Sequence, residues 1–392
     1  MKPRRIKDNI HWLGYIDWDA RLFDQLIPLP DGTSYNAYLI EGSEKTVLID
    51  TVEPEFFGEL EEQLENVSKL DYLVSLHAEQ DHSGSIPMVL SKYPEAKLIT
   101  TLKAKEILID HLAISADSIV TVADGEPPSL GDKTLEFIYT PWVHWPETMV
   151  AYLQEDKMLF SCDLFGSHIA TSDLYATDEA RVYEASKRYF SEVMMPFAKI
   201  IEKHLEKLAP YDIDIVAPSH GPIHKNPSFI INAHKDWVAG PLKNVVILPY
   251  VSMHQSTKKM VDYLASKLIE KGVRVELFNL SVTDIGKLAI ALVDAATIVV
   301  GTPTVLYGPH PAVAYCTFLA NMLRPRAQYL SIIGSYGWGG KTVETLAGMI
   351  PNLNVEIIEP VFAKGFPAEK DFQALDVLAE AIATGHRKQG FC

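Results

Sequence analysis

Four side chains that can bind a metal crowd into six consecutive residues, directly behind the apolar run Tyr72–Leu76. The run is short and bounded by polar residues, which is typical of a buried strand. In an extended segment alternate side chains point the same way, so we expect His77, Glu79 and Asp81 to converge on one point. His82 is then expected to face a second point beside it. The cluster predicts a metal site at the end of this strand.

Three more potential ligands follow downstream, and each lies near the end of another apolar run. His144 follows Leu135–Tyr139, Asp163 follows Met158–Phe160, and His220 follows Ile213–Ala217. Any one of these residues alone would more often be structural. Their repeated placement behind predicted strands favours a shared metal site over an isolated polar turn.

The order of these residues resembles the metallo-β-lactamase fold, whose pattern is H-x-H-x-D-H, then a His, a bridging Asp and a last His. Glu79 stands where hydrolases of that fold have a second His. Added carboxylates harden a site and favour iron or manganese, whereas an all-histidine site suits zinc. H-x-E-x-D-H in this fold resembles the pattern of the flavodiiron proteins. Two iron ions are therefore the expected metals.

The resemblance implies two iron sites that share a bridging Asp163. One iron is held by His77, Glu79, His144 and Asp163, and the other by Asp81, His82, Asp163 and His220. It also implies that His168 and Tyr189 line the metal pocket as catalytic residues. A loop histidine and a core tyrosine would account for these two residues equally well.

Length and composition restrict the class of protein. The chain has 392 residues, 47% of them hydrophobic, which suits two or three soluble domains. Its net charge of −16 argues against a nucleic-acid partner. Three scattered cysteines, Cys162, Cys316 and Cys392, form neither a disulfide framework nor a cysteine-rich redox module, which predicts the cytoplasm. We expect no signal peptide and no membrane span, because no run approaches ~20 apolar residues.

A regular alternation of strands and helices begins near residue 241. Strands are predicted at Val245–Leu248, Val273–Phe278, Thr297–Val300, Tyr329–Ile333 and Val355–Ile358, with helices at Thr257–Glu270, Ile285–Val293, Pro311–Leu323, Thr342–Ile350 and Ala368–Ala383. This alternation is typical of a doubly wound parallel sheet. Ligands of such sheets bind at the carboxyl ends of the strands.

Three of these strand ends carry residues suited to bind an anion and an aromatic ring. They are Ser252, Met253, His254, Gln255, Ser256 and Thr257 after the first strand, Thr302, Pro303 and Thr304 after the third, and Ser335, Tyr336, Gly337, Trp338, Gly339 and Gly340 after the fourth. Hydroxyls and backbone N–H groups at a helix N-terminus form an anion site. The three loops resemble the phosphate, second and isoalloxazine loops of flavodoxin, in that order, so FMN is the expected cofactor.

Gln255 departs from the flavodoxin pattern, which usually has glycine at this position. Because glycine often supplies a backbone conformation that is costly for other residues, we expect a differently shaped loop or weaker FMN binding. No G-x-G-x-x-G follows a predicted strand, so a dinucleotide fingerprint is absent.

The two halves together resemble a flavodiiron protein along nearly the whole chain. The predicted fold class is α/β, with a metallo-β-lactamase-like αβ/βα sandwich at residues 1–240 and a flavodoxin-like doubly wound sheet at residues 241–392. In this family a diferrous pair and a reduced flavin each carry two electrons, enough to reduce O2 to water or to couple NO to N2O. The resemblance implies a head-to-tail homodimer, or a dimer of such dimers, with the FMN of one chain facing the irons of the other.

Two other functions are compatible with parts of the sequence. The first is a dinuclear zinc hydrolase fused to a flavodoxin module, against which Glu79 argues. The second is a flavodoxin-type electron carrier whose first domain docks a partner, against which the intact ligand set argues. The residues do not distinguish O2 from NO. The electron donor is expected to be a separate species, such as a rubredoxin or a reduced deazaflavin.

Overall fold

The computed structural model describes residues 1–391, which form two compact units. The first unit comprises Met1–Tyr189 and Phe197–Val238. The second comprises Phe190–Pro196 and the chain from Ala239 onward. The sequence places the boundary between two independently folding domains at residues 240 and 241, and this boundary stays a prediction.

The first unit contains two large sheets and a small hairpin. Its strands are β1 Arg4–Lys7, β2 Ile10–Asp17, β3 Leu22–Phe23, β4 Ile27–Pro28, β5 Thr33–Glu41, β6 Thr46–Ile49, β7 Tyr72–Val74, β8 Lys97–Thr100, β9 Ile119–Thr121, β10 Leu135–Tyr139, β11 Met149–Leu153, β12 Met158–Cys162 and β13 Ile215–Pro218. Its helices are α1 Phe57–Gln63, α2 Gln80–Ser83, α3 Ile86–Lys92, α4 Leu102–Leu112, α5 Glu179–Tyr189, α6 Ala198–Leu208 and α7 Pro227–Ala239. The sheet orders are β1-β2-β5-β6-β7-β8-β9 and β10-β11-β12-β13, and β3 pairs with β4.

The two sheets of the first unit enclose a common apolar core. One buried cluster combines Ile10 and Tyr38 of the larger sheet with Phe137 and Phe160 of the smaller one. A second cluster covers the other face of the larger sheet and includes Leu108 of α4. This alternation of inward faces follows from the period of two along a strand. The predicted αβ/βα sandwich is confirmed.

The arrangement of strands brings the ends of several apolar runs to the edges of the sheets where the site forms. β7 is parallel to β6 and β8, and β12 is parallel to β13. Neighbouring parallel strands end at the same edge of a sheet. The polar segments that follow β7, β12 and β13 therefore start from the carboxyl ends of buried strands.

The second unit is a parallel sheet with helices between its strands. Its strands are β14 Lys243–Tyr250, β15 Arg274–Asn279, β16 Ala295–Val305, β17 Gly308–Pro309, β18 Tyr329–Tyr336, β19 Glu356–Ile357 and β20 Val361–Lys364, and its helices are α8 Ser256–Glu270, α9 Ile285–Leu292, α10 Pro311–Leu323, α11 Thr342–Gly348 and α12 Glu369–Gln389. The order β15-β14-β16-β18-β19 is the flavodoxin-like doubly wound order, which confirms the predicted fold.

One predicted strand of this sheet is wrong in extent. The sequence predicted Val355–Ile358, but the strand covers only Glu356–Ile357, and pairing with β18 resumes at β20. Pro360 lies between the two pieces and has no N–H to donate to the ladder, so it separates them.

None of the helices within residues 1–391 combines the length and the apolar content that a membrane span requires.

Candidate functional site

The seven predicted ligands lie at the ends of the strands that the sequence indicated. His77 and Glu79 follow β7, Asp81 and His82 lie on α2, His144 lies between β10 and β11, Asp163 follows β12, and His220 follows β13. All are buried except His144, which is half-buried. Residues separated by up to 143 positions (77 to 220) are thereby gathered in one place.

The first group of ligand atoms combines His77, Glu79, His144 and Asp163, whose ligand atoms all lie within 4.8 Å of one another. Glu79 Oε2 lies 3.1 Å from His77 Nε2 and 3.2 Å from His144 Nε2. Asp163 Oδ2 lies 3.5 Å from His77 Nε2 and 3.7 Å from His144 Nε2. Two imidazoles and two carboxylates therefore surround one point.

The second group combines Asp81, His82 and His220 with the other oxygen of Asp163. His82 Nε2 lies 3.3 Å from Asp81 Oδ1 and 3.1 Å from Asp163 Oδ1. His220 Nε2 lies 3.1 Å from Asp81 Oδ2 and 3.5 Å from Asp163 Oδ1. Asp163 thus presents Oδ2 to the first group and Oδ1 to the second, which is the geometry of a bridging carboxylate.

The placement of Asp81 corrects one step of the sequence argument. An extended segment would have directed Asp81 to the same point as His77 and Glu79. Helix α2 begins at Gln80 instead, so the side-chain period of two ends there and Asp81 joins His82 in the second group.

Five of the atoms at the centre of these groups lack protein hydrogen-bond partners. Both carboxylate oxygens of Asp81 and of Asp163, and Nε2 of His82, are buried and make no hydrogen bond within the described chain, residues 1–391. Buried polar atoms of folded proteins are nearly always satisfied. Two cations would satisfy all of them. The carboxylate content of both groups suits a hard metal such as iron.

The outer nitrogens of two ligand histidines are fixed by hydrogen bonds. His77 Nδ1 lies 2.7 Å from Glu147 Oε1, and His220 Nδ1 lies 2.7 Å from the carbonyl oxygen of Ser34. Because both partners accept, each Nδ1 carries a proton, and Nε2 is the nitrogen that faces the centre of the site. Glu147 was not predicted from the sequence, where its only signal is its position three residues after His144 in the same loop.

The three loops predicted to bind FMN lie at the carboxyl ends of β14, β16 and β18 in the second unit. Thr257 Oγ1 lies 3.3 Å from Ser335 Oγ, which joins the first and third loops. A Cβ on Gly340 would approach Thr304 Cγ2 to 2.6 Å, so the close approach of the second and third loops requires glycine there. Trp338 is 85% exposed and offers an uncovered aromatic face.

Other residues of the three loops have local structural partners or open surroundings. Ser252 Oγ accepts the N–H of Lys258 at 3.1 Å, and the Thr302 hydroxyl donates to the carbonyl of Pro303 at 2.9 Å. Met253 and His254 are exposed, and Ser256 and Tyr336 are half-buried. Gly337 and Gly339 have open space where a Cβ would stand.

Gln255 has the type of backbone conformation that glycine adopts easily. Its backbone has φ 69° and ψ −11°, in the left-handed region, and it is the N-cap residue of α8. Gln255 therefore bears the backbone strain that a glycine at this position would avoid, and whether the whole loop differs in shape stays a prediction. Its effect on FMN affinity stays a prediction.

Comparisons with known proteins agree with both halves of the chain. The protein family described as ODP family beta lactamase matches residues 33–221. A nitric oxide reductase of Moorella thermoacetica is 35% identical over 97% of this chain and 98% of its own. The solved rubredoxin oxygen:oxidoreductase of Desulfovibrio gigas aligns over 100% of both chains with a TM-score of 0.96 and 30% identity. The flavodiiron protein of Giardia intestinalis aligns over 99% of this chain and 98% of its own, with a TM-score of 0.90 and 25% identity.

This chain belongs to the flavodiiron protein family.

In the two metal groups of this flavodiiron protein, neighbouring carboxylates shift the pKa values of the histidines. Burial alone would lower the pKa of His82, but Asp81 and Asp163 raise it to about 10. Burial would likewise lower the pKa of His77, yet hydrogen bonds to Glu147 and Glu79 raise it well above its usual value. The carboxylates therefore attract positive charge into the site, which bound cations would supply in place of protons.

His168 and Tyr189 lie beside the second metal group of the flavodiiron protein. Their rings are 4.6 Å apart in an edge-to-face arrangement, and the His168 ring is 4.9 Å from that of His220. His168 Nδ1 lies 2.8 Å from Thr33 Oγ1. Burial lowers the pKa of His168 and raises the pKa of Tyr189, both strongly, so both side chains are neutral. Their catalytic role stays a prediction.

Three further carboxyl groups surround this flavodiiron site and were not predicted. Burial and the neighbouring Glu79 raise the pKa of Asp24, on the turn between β3 and β4. Burial, and secondarily Asp81, raises the pKa of Glu53 to about 7. Burial raises the pKa of Asp50 to about 6. No spacing in the sequence relates these residues to the ligands, because they reach the site through the packing of other strands and loops.

Proposed function

We propose that this flavodiiron protein reduces O2 to water, NO to N2O, or both, at a non-haem diiron site supplied with electrons by FMN. The observation that carries the proposal is the two-sided contact of Asp163, with one oxygen in each group of ligand atoms. The names of the Moorella thermoacetica and Desulfovibrio gigas relatives support the same reaction class. They do not favour the zinc hydrolase, and neither does Glu79.

The residues assigned to the metals fall into two sets that share Asp163. His77, Glu79, His144 and Asp163 would hold the first iron, and Asp81, His82, His220 and Asp163 the second. When bound, the iron pair supplies two electrons and the reduced flavin two more, which suffices for O2 reduction without release of peroxide. Four protein ligands at each iron leave room for a small neutral molecule to bind.

The chain's own side chains prepare the pocket for that chemistry. Hydrogen bonds to Glu147 and Ser34 hold His77 and His220 with Nε2 directed inward. We assign His168 and Tyr189 to the pocket wall beside the second iron. Because burial keeps both neutral, they offer hydrogen bonds to substrate without adding charge to the site.

The loops of the second unit would hold FMN through complementary contacts. The hydroxyls and N–H groups of residues 252–257, at the N-terminus of α8, suit the phosphate. Thr302, Pro303 and Thr304 would border the ring system, and residues 335–340 would cover it, with Trp338 stacking on the isoalloxazine.

Partners and compartment follow from the same proposal. We infer an external electron donor, either a rubredoxin or a reduced deazaflavin, and the name of the Desulfovibrio gigas relative supports the rubredoxin. We infer the cytoplasm, since Cys162 and Cys316 are buried free thiols. We further propose a head-to-tail homodimer, or a dimer of such dimers, because FMN and iron lie on different units and electron transfer requires them to be close.

The proposed function is tested on protein purified and reconstituted anaerobically with ferrous iron and FMN. Flavin absorption bands, about two irons per chain and consumption of O2 or NO with a chemically reduced donor are expected. Stoichiometric zinc with hydrolytic activity and no gas consumption would establish the hydrolase instead. Flavin without any metal binding would establish the electron carrier.

A further inference from the structure

Glu147 links the first metal group to a buried negative charge that is not itself a ligand. Its Oε1 lies 2.7 Å from His77 Nδ1 and also accepts the N–H of Ala78 at 3.0 Å. The side chains of Glu147 and His77 are both fully buried. Two N–H donors converging on one oxygen indicate an ionised carboxylate acting as acceptor.

The hydrogen bonds of the Glu147 carboxylate are directed to His77 and to the adjacent N–H of Ala78. Its second oxygen, Oε2, is buried and makes no hydrogen bond in the part of the chain that the structure describes, residues 1–391. Burying a carboxylate is costly unless positive charge lies nearby. The His77 ring, and through it whatever cation the first group binds, is the charge that Glu147 faces.

The second metal group has no equivalent hydrogen bond among the described contacts. His220 donates its outer N–H to the neutral carbonyl of Ser34. A carboxylate oxygen of Asp50 lies within 4.8 Å of a ring nitrogen of His82. However, Asp50 Oδ1 accepts the N–H of Leu76 at 2.8 Å, and Oδ2 accepts the hydroxyl of Ser219 at 3.4 Å. The two groups therefore differ in what accepts the outer N–H of a histidine. The acceptor is the carboxylate of Glu147 for His77 and the neutral carbonyl of Ser34 for His220.

We propose that Glu147 is a positioning residue that acts through His77 to make the iron of the first group the more easily oxidised of the pair. The proposal rests on the proposed function, since it requires iron at both groups. Each iron exchanges one electron between its ferrous and ferric states. Glu147 determines which of the two reaches the ferric state first.

The physical reason is that the negative charge of Glu147 acts on the first metal position through the His77 imidazole. A carboxylate that accepts the outer N–H of a ligand histidine raises the basicity of the coordinating nitrogen. A more basic ligand stabilises the ferric ion, with its higher charge, more than the ferrous ion. The first iron should therefore have the lower reduction potential, and it would be the last of the two to accept an electron from FMN.

The test compares Glu147→Gln with the parent protein after anaerobic reconstitution with iron and FMN. Glutamine keeps the shape and can still accept the His77 N–H, but it carries no charge. The two one-electron potentials are measured by redox titration, with the mixed-valent state followed by electron paramagnetic resonance. We expect the lower potential to rise by 59 mV or more, which is a tenfold change in the ferric-to-ferrous ratio at one site. Iron affinity should fall about 10–100-fold.

Two further variants separate this effect from a general loss of charge or structure. Glu106→Gln removes the same charge from an exposed residue that borders the same cavity as Glu147, so both potentials should stay at the parental values. Glu147→Asp keeps the charge on a shorter side chain and should give a lower potential between those of the parent and Glu147→Gln. If Glu147→Gln does not fold, the shift in Glu147→Asp carries the test.

A rise confined to the higher potential, or parental potentials in both Glu147 variants, would overturn the proposal. These outcomes are distinguishable from failure of the proposed function. In that case the parent protein itself would bind no iron pair, and there would be no potentials to compare.

Discussion

Replacing Gln255 by glycine should stabilise the flavin-binding unit. Gln255 has φ 69° and its side chain makes no capping hydrogen bond to α8, so the change removes a backbone strain and loses no cap. The left-handed conformation costs a non-glycine residue about 1–2 kcal/mol. The greater freedom of glycine in the unfolded chain offsets about 0.4–1 kcal/mol of that gain. The midpoints of these two ranges leave a net increase of about 0.8 kcal/mol in the free energy of unfolding.

The assay is thermal and denaturant unfolding of the full chain, with and without FMN. A gain of this size corresponds to a rise in Tm of roughly 1–4 °C for a unit of about 150 residues. Gln255→Ala is the matched control, because alanine also lacks the side chain but bears the same left-handed strain. Alanine should not stabilise the protein.

The same variants also measure how the Gln255 side chain affects the affinity for FMN. Because the loop already has the glycine-type conformation, the Kd for FMN should stay within about twofold of the parental value in Gln255→Gly. Equal stabilities of the glycine and alanine variants would refute the strain argument. Equal losses of FMN affinity in both would show that the Gln255 side chain contacts the cofactor.

Three other predictions concern the metals, the flavin and the assembly. Glu79→His makes the first group less negative and softer, so it should fold, keep FMN, bind zinc more readily than the parent and lose most gas reduction; iron selectivity and gas consumption at parental levels would exclude Glu79 as a ligand. Trp338→Ala should weaken FMN binding by about 1 kcal/mol and leave iron content unchanged; parental affinity in flavin fluorescence titrations would place the exposed indole away from the isoalloxazine. Light scattering should find a homodimer or a dimer of dimers, and a monomer that turns over at full rate would contradict the head-to-tail arrangement.

The sequence predicted best where function requires particular residues at strand ends. The seven predicted ligands come together in two groups, their role as metal ligands and the flavin-binding role of the three loops stay predictions, and β10 and α10 have the predicted bounds. The extended-strand inference was wrong for Asp81, since four residues suffice for a helical turn and carry too little periodicity to reveal it, whereas the grouping of Asp81 with His82 and His220 that the family resemblance implied agrees with the structure. It was also wrong for the strand at Val355–Ile358, where a proline in the following segment divides the pairing.

Long-range packing explains what the sequence did not reveal. Glu147 reaches His77 across 70 positions, and Asp50 reaches the second metal group from a different strand end. The contact of Glu147 with His77 depends on how the two sheets pack, whereas Asp50 follows β6, the parallel neighbour of β7 in the same sheet. The backbone of Gln255 shows the same limit, since a residue type alone did not decide whether the loop would accept strain or change shape.

The proposed bridging of two irons by Asp163 is tested by iron content and Mössbauer spectroscopy after anaerobic reconstitution. The parent should bind about two irons per chain that are magnetically coupled in the diferric state. Asp163→Ala removes Oδ2 from the first group and Oδ1 from the second, so it should lose both irons together and keep its FMN. Two irons retained by Asp163→Ala, or two uncoupled irons in the parent, would show that Asp163 does not bridge an iron pair.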